Sequence, residues 1–194
     1  STNMLFAGDG DNTVAAIGSA NVLFGGTGDD VIAALGSSNL VSGGDGDNMA
    51  FAVGASNALL GGSGSDVLTA VGNTNALIAG GGDNVVTGLG RGNLLTAGSG
   101  SDILTAAGEY NVLLAGDGDN IATAAGRYNF VSVGDGDDVV TALGSGNLVL
   151  DGGGDNLVTL AGQNNLALTG AGDDTVTAIG NTNIVSAGNG DNLV

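Results

Sequence analysis

The sequence predicts an all-β parallel β-solenoid with 18 residues per coil, two short strands per coil and about 10–11 coils. Three observations predict it. Glycine recurs at positions 8, 26, 44 and onward every 18 residues to 188, with a second glycine column two residues further on. Asparagine keeps its own column in the same period, from Asn3, Asn21 and Asn39 to Asn183. No insertion or deletion interrupts the period, and an inserted residue would throw every later coil out of register. Residues 1–194 therefore read as one repeat domain without linker or boundary.

Composition narrows the function. The chain has 40 glycines, no proline and no cysteine, which excludes collagen, disulfides and Cys/His metal sites. Twenty acidic residues face two basic ones, a net charge of −18 that excludes nucleic acid as a partner. No apolar run approaches the roughly 18–20 residues that span a bilayer, so no membrane span is expected. With no histidine, lysine or cysteine, and with carboxylates repeated along the chain, the sequence does not read as an enzyme.

The repeat Gly26–Gly43 holds the elements in order. A Gly/Asp turn leads to the apolar run Val31–Leu35. A second turn, Gly36–Asn39, leads to another run beginning Leu40–Val41. These runs are too short and too β-branched for helices and suit strands. Side chains alternate along a strand, so the columns of residues 14, 16, 23 and 25 form a narrow core. Asp151 and Thr169 break the last of these columns, as expected if it already bends into the turn. The opposite faces carry Val, Ile and Leu, Phe24, Phe51 and Phe130, and a threonine ladder from Thr69 to Thr177. Outward apolar residues on that scale predict lateral partners.

The ends read as ordinary repeats. Asn3–Phe6 matches Asn21–Phe24, Ser1 shares the phase of Ser19, and the chain is four residues short of eleven turns. A second copy stacked end to end would nearly continue the register, and open contacts of that kind make filaments. A fragment of a longer array is the other reading.

Gly25–Ala33 (GGTGDDVIA) and Gly61–Thr69 (GGSGSDVLT) resemble the RTX nonapeptide GGxGxDxUx, where U is apolar. The resemblance implies a parallel β-roll of a secreted bacterial protein, extracellular or at the cell surface, with Ca²⁺ held in the glycine turns by aspartate and backbone carbonyls. By position the motif aspartates are Asp30, Asp66, Asp102, Asp138 and Asp174. In the intervening coils asparagine takes that place (Asn12, Asn48, Asn84, Asn120, Asn156, Asn192), giving a 36-residue superperiod. Neighbouring carboxylates Asp11, Asp29, Asp47, Asp83, Asp119, Asp137, Asp155 and Asp173 complete the candidate Ca²⁺ ligands. Alternation spreads charge between coils; equally, Asp and Asn simply suit turns.

The second turn, as in Ala34–Ser42 (ALGSSNLVS), keeps the spacing but not the carboxylates. Its asparagine column is expected to form an amide ladder. Arg91, Glu109 and Arg127 share one column of this turn, a stacked +/−/+ ladder, and Tyr110 and Tyr128 lie beside it.

Three functions follow as expectations. The first is a structural protein that assembles with copies of itself into filaments, a sheath or an adhesin stalk. The second is a Ca²⁺-dependent RTX folding or secretion module of a larger protein. The third, from the threonine ladder, is ice binding. No organic cofactor is expected.

Overall fold

The computed structural model describes residues 2–194; the phase assigned to Ser1 falls outside them. All regular structure is β, in two parallel sheets whose strands alternate along the chain. The first sheet has eleven strands, from Met4–Asp9 to Ile184–Ser186. The second has ten, from Thr13–Ile17 to Thr175–Asn181. Each strand pairs with those one coil before and after, in a register of 18 residues: Thr87 lies beside Thr69 and Thr105, and Leu95 beside Leu77 and Leu113.

Parallel strands with a two-turn coil leave room for one thin core. Valine, isoleucine and leucine of the column containing Ile32, Leu68 and Leu104 meet those of the column containing Leu23, Leu59 and Leu95, with alanines such as Ala34 and Ala70 between. The expected alternation is present: Thr13–Ile17 and Met49–Val53 run exposed, buried, exposed, buried, exposed. Val31, Leu35, Met49, Ile103, Ile121, Leu143 and Leu157 lie exposed on the outer face of the second sheet.

Glycine is obligatory where successive coils touch. Gly98 has a φ of 124°, and a Cβ there would collide with the carbonyl oxygen of Gly80 in the coil before. Only glycine combines that conformation with so close a backbone approach. In the second turn the column of Ser38 is left-handed from Ala20 to Thr182, and it holds tyrosine at Tyr110 and Tyr128, both with φ of 56°. A bulky residue is uncommon in that region.

Candidate functional site

The acidic edge is built from two columns that face opposite ways. Asp30, Asp66, Asp102, Asp138 and Asp174 are buried, whereas Asp11, Asp29, Asp47, Asp83, Asp119, Asp137, Asp155 and Asp173 are exposed. The fold therefore separates the two candidate ligand sets. Among the described residues, no three acidic side chains gather closely enough to cage a metal ion.

The exposed column braces the turns. Asp11 Oδ1 accepts the backbone N–H of Asp29 at 2.9 Å, Asp47 that of Ser65 at 2.7 Å, and Asp137 that of Asp155 at 2.8 Å. Each carboxylate thus satisfies an amide one coil further on. This explains why Asp is followed one coil on by Ser65 or Ser101, which need only present the N–H.

The buried column is a continuous ladder. Oδ1 of each side chain accepts the N–H of the corresponding residue one coil before: Asn48 N–H to Asp66 at 2.8 Å, then Asp66 N–H to Asn84 at 2.8 Å. The second terminal atom separates the two residue types. In asparagine coils it is Nδ2, which donates to a turn carbonyl: Asn48 to Gly46 at 2.9 Å, Asn84 to Gly82 at 2.8 Å, Asn156 to Gly154 at 3.0 Å. In aspartate coils it is Oδ2, and in all five it is buried without a hydrogen-bond partner. An oxygen occupies the place where its neighbours put a donor. Burial accordingly raises the carboxyl pKa of Asp66 and Asp102 above 3.8, and that of Asp138 to about 6, against the lowering effect of the backbone N–H bonds.

The neutral edge has the expected amide ladder, with one more contact than expected. Asn111 Nδ2 donates to Asn129 Oδ1 at 3.1 Å and to the Gly90 carbonyl at 3.1 Å, and its Oδ1 accepts the Asn93 N–H at 2.9 Å. The +/−/+ ladder forms only in part. Arg127 bonds Glu109, with Nε to Oε1 at 3.0 Å, and this hydrogen bond lowers the Glu109 pKa. Arg91 instead lies over the Tyr110 ring, 4.9 Å from its centroid, and Tyr110 stacks on Tyr128 at 5.3 Å.

Asp151 and Thr169 correct the expectation that their column bends away into the turn. The column faces inward: Ala79, Ala97, Ala115 and Val133 are buried in it, Thr169 is 7% exposed, and both Asp151 carboxylate oxygens are buried and unpartnered. A Cβ added at Gly25 or Gly61 would collide with Oδ2 of Asp30 or Asp66. Side chains in this column therefore press on the buried carboxylate column. From Val133 onward the turn changes path. Gly98 and Gly116 have positive φ and their counterparts Gly134, Gly152, Gly170 and Gly188 do not. The first-sheet strands shorten at the same point, from Val112–Asp117 to Phe130–Ser132. Burial, then the nearby Asp138 and Asp174 charges, push the Asp151 pKa up to about 7. The signal for this cluster was present in the sequence as two polar residues in a column of glycine, alanine and valine.

No protein-family model matches the chain, and neither a curated protein nor a solved structure does so significantly.

Proposed function

We propose that this chain is a structural protein of the extracellular space or cell surface that assembles with copies of itself through its flat sheet faces. One observation carries the reading: the outer face of the second sheet exposes rows of large apolar side chains in nearly every coil, flanking the threonine ladder. Ten strands about 4.8 Å apart and five residues of about 3.3 Å each make a face of roughly 700–800 Å². That is close to the ~800 Å² each partner contributes to a stable interface. A second copy is the fitting occupant because it repeats at the same interval as the face it covers, row against row. Charge favours the same geometry, since the aspartates lie along one edge and leave the faces neutral, so face-to-face packing keeps acidic edges apart. Sedimentation and electron microscopy test the reading. The native chain associates, and Val85→Lys with Ile103→Glu and Ile121→Lys dissociates it while its circular dichroism is kept. A native chain that stays monomeric at high concentration refutes it.

A second reading has its own observation. The five orphaned Oδ2 atoms of the buried aspartates call for a proton or a cation, and the turns that hold them resemble RTX turns. Ca²⁺ taken up there would tie folding to the ion. Circular dichroism and melting unchanged by chelator would dismiss this reading without touching the first. The threonine ladder alone supports ice binding, and it is flanked by uneven bulky rows; thermal hysteresis is the corresponding assay.

A further inference from the structure

Asp151 and Thr169 occupy the position of the first motif glycine of their coils, where every other coil carries glycine, alanine or valine. A side chain in this column is directed at the residue five positions on in its own coil, as the Cβ built at Gly25, Gly43 or Gly61 shows. Asp151 and Thr169 are successive rungs of this column, their coils joined by the hydrogen bond from the Asp151 N–H to the Leu168 carbonyl at 2.9 Å, and the Asp138 and Asp174 charges both act on Asp151. Thr169 precedes Asp174 by five residues in the same coil.

Five oxygens in these successive coils have no donor: Asp138 Oδ2, both oxygens of Asp151, Thr169 Oγ1 and Asp174 Oδ2 are buried and unpartnered. Asp138 and Asp174 are each 1% exposed. The Asn156 amide is committed to the Gly154 carbonyl, and the only two arginines lie on the opposite edge. Buried oxygens in such number call for a proton or a cation among them. A single proton on Asp151 would supply one donor and leave most of them unpaired, whereas a cation serves several at once.

We propose that Asp151, Thr169 and Asp174 form a binding site for one hard divalent cation of the calcium class, inside the acidic edge, where one turn aspartate is joined by two residues that the other coils lack. The donors are all oxygen, as such ions require, and ligand distances of about 2.3–2.6 Å need no pocket-sized cavity. Three carboxylates do not converge here, so the ion is balanced by two carboxylates and completed by the Thr169 hydroxyl, with Asp138 beyond Asp151 as a flanking charge. The inference is independent of ion binding in the other coils, because Asp151 and Thr169 have no counterparts there.

Calorimetric titration of the full chain with Ca²⁺ after chelation, with metal content measured directly, tests it. The native chain shows one class of site that Asp151→Asn removes and Thr169→Val weakens by about ten- to a hundredfold, while Asp30→Asn leaves it intact. All three variants keep the shape of the residue replaced, and circular dichroism verifies the solenoid. Equal stoichiometry and affinity in the native chain and Asp151→Asn would overturn the proposal. So would a native chain that binds no Ca²⁺ and shows an infrared band of a protonated carboxyl that Asp151→Asn abolishes.

Discussion

Replacing Asp66 and Asp102 together by asparagine should stabilise the solenoid in chelator at neutral pH. Each aspartate buries an Oδ2 with no partner, while asparagines one coil away place Nδ2 at 2.8–2.9 Å from a glycine carbonyl. The substitution turns an orphaned acceptor into a donor aimed at an acceptor, and Oδ1 keeps its ladder bond. Leaving a buried polar group unsatisfied costs about 1–3 kcal/mol, and a neutral hydrogen bond contributes about 1. A gain of about 2–4 kcal/mol for the pair is a conservative sum, which raises Tm by roughly 4–16 °C for a chain of this length. A continuous asparagine column is sterically sound, because the neutral edge already has one at Asn57, Asn75 and Asn93. The pH dependence adds a second signature. Burial raises both carboxyl pKa values above 3.8, so between that value and the folded pKa the native state holds more protons than the unfolded state. Stability then falls as pH rises through this window, and the double variant should lose that part of the slope. Thermal and urea unfolding followed by circular dichroism across pH measure both effects. A double variant less stable than the native chain in chelator, or one with the same pH slope, would refute the donor–acceptor argument.

Other substitutions probe the remaining contacts. Asn93→Asp, the reverse exchange on the neutral edge, should cost about 2–4 kcal/mol in denaturant titration, since it sets a carboxylate oxygen among acceptors. Gly98→Ala should destabilise by about 3 kcal/mol or more, because its Cβ meets backbone rather than a movable side chain at φ 124°; soluble yield and Tm report it. Asp151→Val should stabilise the chain in chelator near neutral pH. Burial pushes its carboxyl from 3.8 up to about 7, so native stability should decline as pH rises between those values, and the valine variant should not share that decline. Glu109→Gln should leave Tm unchanged within error at any salt concentration, because the ion pair with Arg127 lies on the surface.

Much of the architecture was legible because each coil repeats the same information. The two strands follow from alternation within Val31–Leu35 and its counterparts, and the inward columns from the same alternation. The asparagine ladder follows from a residue type that can donate and accept at every level. Asp30 and its equivalents were legible as a column, but the direction of their carboxylates was not. Which way a carboxylate points at a turn depends on glycine φ values that the letters do not display. Arg91 was legible as a neighbour of Glu109 and settled instead over Tyr110, since a long side chain chooses among several partners within reach.

By itself the sequence determined the period, the register and the side of the sheet on which each strand residue stands. These depend only on spacing along the chain and on the geometry of an extended backbone. Tertiary structure alone decided that the buried and exposed aspartates of the acidic edge turn away from each other, that Oδ2 is left without a donor in alternate coils, and that Asp151 and Thr169 face inward. Those outcomes depend on atoms about 18 residues away, whose carbonyl and amide directions are set when the coils stack. The change in the turn after Val133 is likewise visible only in the stacked coils, where Gly134, Gly152, Gly170 and Gly188 lose the positive φ of Gly98 and Gly116.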